Sequence, residues 1–260
     1  MAPTLNVERT GSGAPLVLLH GIGSELCVWE PVLEPLGEHR EVLAVDLPGF
    51  GRSAPLSDEV APTPGALARA VASWLDVHGL ERVHVAGNSL GGWVALELAK
   101  LGRARTVTCL SPAGLWGRPL TTATVPQQNP ARRAAKALSP VVGLLMLSAR
   151  ARRLALMNFV AHPERVPRRA AARMVSSYAR ASAYEATSLA MRSSHLQGAE
   201  RIDVPVTVGW GERDRLLRPA PLRAPLTQSL VLPGCGHVPM WDDTPLVTRV
   251  LLDGSARQAA

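Results

Sequence analysis

Ser89 stands in Gly87-Asn88-Ser89-Leu90-Gly91-Gly92, between a short apolar run and a helical pattern that opens at Leu90. The G-x-S-x-G spacing carries chemistry only in that context. A serine on a sharp strand-to-helix turn projects its hydroxyl from the carboxyl edge of a sheet, and the flanking glycines leave room for the turn. A serine hydroxyl is a weak nucleophile until a base takes its proton, and the base needs an acid to orient it. His237, in Gly234-Cys235-Gly236-His237-Val238-Pro239, is the candidate base, and Asp214, in Gly209-Trp210-Gly211-Glu212-Arg213-Asp214, is the candidate acid. The chain order Ser89, Asp214, His237 suits a triad assembled at successive strand ends. Glu212 and Asp242 compete for the acid's place. Glu212 lies nearer the preceding strand, and Asp242 with Asp243 reads as the acidic start of a last helix.

Acyl chemistry also needs donors for an oxyanion. The N–H of Leu90, directly after the serine, is one candidate. Ile22, in the glycine turn His20-Gly21-Ile22-Gly23, is the other. Trp116 and Trp241 are candidates for the substrate pocket wall, in competition with a plain core role.

Positioning these residues requires a sheet. Residues 16–19, 42–45, 83–86, 107–110 and 206–208 are short apolar runs that mostly end at Gly, Pro or Asp, and they read as buried strands. Between them lie helical patterns near 26–38, 65–78, 90–101, 216–225 and 244–253. Strand alternating with helix predicts an α/β fold, a mostly parallel central sheet with helices on both faces. Residues 5–9 alternate instead, and the turn at 11–15 predicts an antiparallel edge strand in a hairpin with the next. From 116 to 198 no strand pattern appears. Helical segments rich in Ala, Arg and Leu are broken near Pro119, Pro126, Pro130, Pro140, Pro163 and Pro167. The expected organisation is a core of residues 1–115 and 199–260 with an inserted helical lid at 116–198.

Composition narrows the function classes. The 260 residues are 47% hydrophobic and 19% charged, ordinary for a globular protein. The longest apolar stretch, residues 141–147, falls far short of the ~20 that a membrane span needs. No charged leader precedes an apolar core at the N-terminus, and Cys27, Cys109 and Cys235 form no disulfide framework or zinc spacing, so a cytoplasmic protein is expected. The formal charge of +7 is local: residues 118–198 hold twelve Arg and Lys136 against Glu164 and Glu185, a balance of +11 that leaves the remainder at −4. The apolar stretches 138–147 and 154–160 are expected to face inward and form a dry acyl or alkyl pocket, with the arginines outward. Those arginines read as a solvated face, as a steering surface for an anionic substrate or acidic carrier protein, or as an attraction to an anionic membrane. No recognition motif or stacking platform accompanies them, which argues against nucleic acid.

His20-Gly21-Ile22-Gly23, Asp46-Leu47-Pro48-Gly49-Phe50-Gly51-Arg52-Ser53, the Ser89 motif, Gly211 to Asp214 and Gly236-His237 together resemble the α/β-hydrolase superfamily. The resemblance runs over about residues 15–115 and 199–250. It implies Ser89 as nucleophile, Asp214 as acid, His237 as base, Ile22 and Leu90 as oxyanion donors, and no metal or organic cofactor. Haloalkane dehalogenases and epoxide hydrolases are similar near residues 46–53 but use an aspartate nucleophile where this chain has Ser89. Gly21-Ile22-Gly23 fits type II thioesterases poorly. Carbon–carbon bond hydrolases share an Asn-Ser elbow like Asn88-Ser89, but their lid arginine and post-histidine tryptophan do not align here. The expectation is a cofactor-independent serine hydrolase acting on an ester-like bond of a small, largely apolar acyl substrate. A carbon–carbon hydrolase or lyase with the same triad, and a non-catalytic ligand-binding homologue, stay open at this point.

Overall fold

The computed structural model describes residues 4–123 and 129–257. Seven strands form one sheet: β1 (Val7–Thr10), β2 (Pro15–Leu19), β3 (Glu41–Val45), β4 (Val83–Asn88), β5 (Ala104–Leu110), β6 (Val206–Gly211) and β7 (Thr227–Leu232), in the order β1-β3-β2-β4-β5-β6-β7. All neighbours are parallel except β1 with β3. The strand residues sort by parity, as a pleated strand requires. Val17, Leu19, Leu43, Val45, Val85, Val107 and Val208 face α2 (Pro64–Val77) and α3 (Leu90–Lys100). Leu16, Leu18, Val42, Ala44 and Ala86 face α1 (Glu30–Gly37) and α9 (Thr244–Ala256). Both faces are covered, which is why the strands read as unbroken apolar runs.

Three expectations change. β1 does not form a hairpin with β2; it pairs antiparallel with β3, Val7 opposite Val45. Both edges of β2 are taken by parallel partners, β3 and β4, so no place remains for β1 beside it. The connecting turn passes at Gly11 (φ +72°), where a Cβ would stand 2.3 Å from the carbonyl oxygens of Gly37 and Arg40. The predicted helix at 216–225 is absent. Pro219, Pro221 and Pro225 each remove a donor and push the preceding residue out of helical geometry, and the segment runs irregularly into β7. The 26–38 helix divides into a 3₁₀ turn, Leu26–Trp29, and α1.

Between β5 and β6 lie the helices α4 (Pro130–Leu138), α5 (Val142–Leu145), α6 (Ala149–Leu156), α7 (Arg168–Arg180) and α8 (Tyr184–Arg192). Asn129 caps α4 through the N–H groups of Ala131 and Arg132, and Pro130 occupies its first turn. The expected break at Pro126 lies outside the described residues. The expected inward apolar stretches are corrected. Val142, Met146, Leu156 and Val160 are buried, but Leu138, Val141, Leu144, Leu147 and Leu154 face solvent, because these helices are four to nine residues long and only one side of each reaches the core. The outward arginines also have an exception. Arg132 is 2% exposed, pairs with Glu185, donates to the carbonyls of Tyr178 and Ala181, and lies over the Tyr184 ring. Its forked donors are thus used inside the insertion, the condition under which a buried cation is tolerated.

Candidate active site

Ser89 sits between β4 and α3 at φ +55°, ψ −114°. That backbone costs on the order of 1–3 kcal/mol for a residue with a Cβ and persists only where the surroundings enforce it. They do. A Cβ on Gly87 would lie 2.1 Å from the Gly91 oxygen, and one on Gly91 would lie 2.0 Å from the Leu19 oxygen, so β4, α3 and β2 meet at backbone contact. The Ser89 N–H donates to the Leu110 carbonyl at 3.0 Å, and the Ser89 carbonyl accepts from Ala113 at 3.0 Å. Ser89 is the N-cap residue of α3, yet its hydroxyl makes no capping bond.

The histidine and acid loops are held together the same way. A Cβ on Gly211 at the end of β6 would lie 2.1 Å from the Gly236 oxygen, and Arg213 donates to the Cys235 carbonyl at 2.8 Å. This contact brings His237 Nδ1 to 2.8 Å from Asp214 Oδ2. The other oxygen, Oδ1, accepts the N–H groups of Leu216 and Leu217 at 2.8 and 2.9 Å. Burial alone would raise the Asp214 carboxyl, but the His237 bond and charge and the two N–H groups hold it below its ordinary value. A carboxylate at Nδ1 selects the tautomer whose Nε2 is a free base. Asn88, the residue before the serine, donates through Nδ2 to the His237 carbonyl at 2.8 Å and the Leu110 carbonyl at 3.0 Å. The elbow and the histidine loop therefore share a buried amide.

Neither rival acid reaches the histidine. Glu212 accepts from the Gly234 N–H at 2.8 Å and stays exposed. Asp242 is not a helix-dipole residue; Asp243 caps α9 through Leu246 instead. The Asp242 carboxylate accepts the N–H groups of Ala161 (2.8 Å), His162 (3.0 Å) and Gly236 (2.8 Å), joining the helical insertion to the loop that carries His237. Val238 adds a bond to the Phe159 carbonyl at 2.7 Å. Cys235, two residues from His237, is no rival nucleophile: burial and the nearby Asp242, Asp243 and Glu212 push its thiol up to about 12.

On the other side of the serine, Gly21 approaches so closely that a Cβ there would be 3.3 Å from Ser89 Cβ. The loop is set by His20, fully buried, whose Nδ1 donates to the Gly21 carbonyl at 2.8 Å while Nε2 accepts from the Leu47 N–H at 3.0 Å. Burial lowers the His20 imidazole against the pull of Asp46, and the neutral ring makes both bonds. Asp46 in turn accepts from Leu26, Asn6 and Arg52, which anchors the neighbouring turn. Ile22 is half-buried, and Leu90 is fully buried as the first residue of α3. Above the loop, the Tyr178 and Tyr184 rings meet edge to face, and a Cβ on Gly23 would be 2.7 Å from the Tyr178 ring. Trp116 donates to the Ser194 carbonyl at 2.7 Å and stands edge-on to Trp93, tying α8's exit to α3. Trp241 packs with the α1/α9 side of the core and its indole N–H is buried without a partner among the described residues.

The positioning roles of Asn88, His20 and Asp242, and the tyrosine pair altogether, are not given by the sequence motifs. Asn88 and His20 carry a local trace, as the residue beside the elbow serine and the head of the glycine turn.

Residues 16–249 match the family described as "Alpha/beta hydrolase family". "Epoxide hydrolase EphH" of Mycobacterium tuberculosis is 35% identical over 196 residues, 71% of this chain and 91% of that protein. "Pimeloyl-[acyl-carrier protein] methyl ester esterase" of Aeromonas hydrophila is 46% identical over 96 residues, only 37% of this chain and 36% of that one. Among solved structures, the enol-lactonase from Burkholderia xenovorans superposes with a TM-score of 0.75 at 21% identity, covering 98% of this chain and 97% of that one, a likeness of fold. The match takes in β2 through α9, and with them the serine elbow and both loops that face it: the chain belongs to the alpha/beta hydrolase family.

Proposed function

We propose that the protein is a cofactor-independent serine hydrolase that cleaves a carboxylic ester or related acyl bond of a small, largely apolar substrate. Ser89 Oγ attacks the carbonyl carbon while its proton passes to His237 Nε2. The N–H groups of Leu90 and Ile22 hold the oxyanion, and Asp214 keeps His237 oriented and stabilises the imidazolium. Collapse expels the alcohol with the proton from His237. Water, activated by the same histidine, then hydrolyses the acyl-Ser89 ester and restores the hydroxyl.

The observation that carries this reading is the 2.8 Å bond from His237 Nδ1 to Asp214, in a loop whose backbone is held by the residue next to the elbow serine. The ester named for the Aeromonas relative agrees with it. The name of the mycobacterial relative suggests epoxide opening, but a serine would yield an alkyl ether there. An ether has no carbonyl through which water could release it, whereas a carboxylate nucleophile forms a cleavable ester. Intact-mass labelling with a fluorophosphonate tests the proposal. One adduct per chain is expected on the wild type and none on Ser89→Ala; a folded wild type that takes no label would overturn it.

A further inference from the structure

Seven of the thirteen exposed large apolar side chains among the described residues lie between Leu138 and Met157, on α4 to α6 and their connections. Leu144 is 69% exposed and Leu154 75%, and Leu138, Val141 and Leu147 are each close to half exposed. On α6 and its C-cap residue Met157, Arg150, Leu154 and Met157 fall at spacings of four and three with Arg153 beside them, so two cations and two apolar side chains share one outward face. Lys136, Arg150, Arg153, Arg168 and Arg169 are all exposed and have no carboxylate partner among the described residues. Glu164 is the one acidic residue between 130 and 184.

We propose that this face docks on an anionic lipid surface. Apolar side chains rising from a cationic field suit an amphiphile whose headgroups are negative and whose interior is hydrocarbon. A protein partner fits less well. Protein interfaces have an apolar centre depleted of charge, an aromatic enrichment and a polar rim, whereas here Arg150 and Arg153 stand beside the exposed Leu154 on one helix face and α4, α5 and α6 contain no aromatic residue. Arginine stems can lie along the acyl boundary while the guanidinium stays with the headgroups. A second copy of the chain would set two cationic faces against each other. No helix among the described residues is long and apolar enough to cross a membrane, so the contact is peripheral. The face continues through α6 to residues 159–162, which bond the histidine loop, so a docked protein would hold its site close to the lipid.

Flotation of the full chain with vesicles tests this, and its readout is independent of turnover. The protein should float with phosphatidylcholine vesicles containing phosphatidylglycerol and stay behind with phosphatidylcholine alone, and high salt should release it. Replacing Arg150 and Arg153 by Gln should lower the partition coefficient about fivefold for each charge removed. Replacing Leu144 and Leu154 by Ser should lower it by at least tenfold on the same vesicles, with unchanged Tm since all four residues are exposed. Arg223→Gln with Arg249→Gln, which removes two exposed charges elsewhere, should leave binding intact. Failure to float with anionic vesicles would overturn the proposal. So would an equal loss from the control pair, which would reduce the effect to net charge. A soluble acidic protein that binds the face while vesicles do not would overturn it in favour of a protein partner.

Discussion

The sheet edge around Ser89 and the helical insertion solve opposite problems. At the sheet edge three glycines, Gly87, Gly91 and Gly211, let backbones touch, and the Asn88 amide and the His237–Asp214 bond hold the facing loops. In the insertion α4 to α6 are short, the apolar residues are divided between core and solvent, and Lys136, Arg150, Arg153, Arg168 and Arg169 have no carboxylate partner among the described residues. The first region is over-determined and the second is held at a few points: Arg132 within it, Asp242 and Phe159 at the histidine loop, and Gly49, whose carbonyl accepts from Ser182 and Ala183. Close backbone contacts gather where the elbow and the histidine loop meet, while exposed apolar and cationic side chains gather in the insertion.

The sharpest way to break this contrast is at the elbow. Ser89→Ala should cost a thousandfold to about a millionfold in kcat on any ester the wild type turns over, with little change in Tm. Ser89→Gly should be equally inactive yet more stable than Ser89→Ala by about 1 kcal/mol, because glycine accepts φ +55° without strain. Chemical denaturation of the two variants checks this. Asp214→Asn should lower kcat by about a thousandfold or more while Glu212→Gln stays within about twofold, since only Asp214 bonds the histidine. Equal losses would mean that the acid had been misassigned.

Arginine sharpens the comparison inside the insertion. Arg132→Ala should destabilise by about 3–5 kcal/mol, because it leaves Glu185 half-buried without its cation and two carbonyls without donors. Arg168→Ala, exposed and without a carboxylate partner, should stay within about 0.5 kcal/mol. Asp242→Asn should fall between them, at about 1–3 kcal/mol. Because Asp242 bonds Gly236, it should also lower kcat, about tenfold, more than KM changes. An unaltered kcat would show that the histidine loop stands without the insertion.

What the sequence revealed of this arrangement follows the same division. Strands β2 to β6 were legible because burial on both faces leaves an apolar run. Ser89 was legible because its constraint, two glycines at fixed spacing, is local. The pairing of His237 with Asp214 could be read because both follow strand ends on one edge. Two of the three partners of Asp242, Ala161 and His162, lie 81 and 80 residues away, and nothing local distinguishes it from a helix-starting aspartate. β1 chose its neighbour by which sheet edge was free, a property of the whole sheet. Arg132 looked like its neighbours because burial of one arginine among twelve depends on Tyr178, Ala181 and Glu185, three side chains or carbonyls supplied by other helices. The expected helix at 216–225 fails for a reason already present in the sequence, Pro219, Pro221 and Pro225.

The smallest expected effect is a pH dependence that separates His20 and His84 from Asp214. Burial lowers His20, and burial with the nearby Arg40 and Arg105 lowers His84 to about 4. In each case the unfolded chain takes up a proton at higher pH than the folded one, so stability is full above 6.5 and declines as pH falls below it. For His84 the decline ends near 4; neither slope can exceed about 1.4 kcal/mol per pH unit. Asp214 is depressed, so its contribution is present above the unfolded carboxylate value of 3.8 and is lost only as pH falls below that. Denaturant midpoints measured from pH 7 to pH 4.5 should therefore fall in the wild type and fall less steeply in His84→Gln and in His20→Gln, with Asp214→Asn parallel to the wild type. His20 is bound on both ring nitrogens and His84 on one, through Thr106, so the His20 variant should also start from the lower stability at pH 7. A slope unchanged by both substitutions would mean that the protons taken up on unfolding in acid go to carboxylates instead.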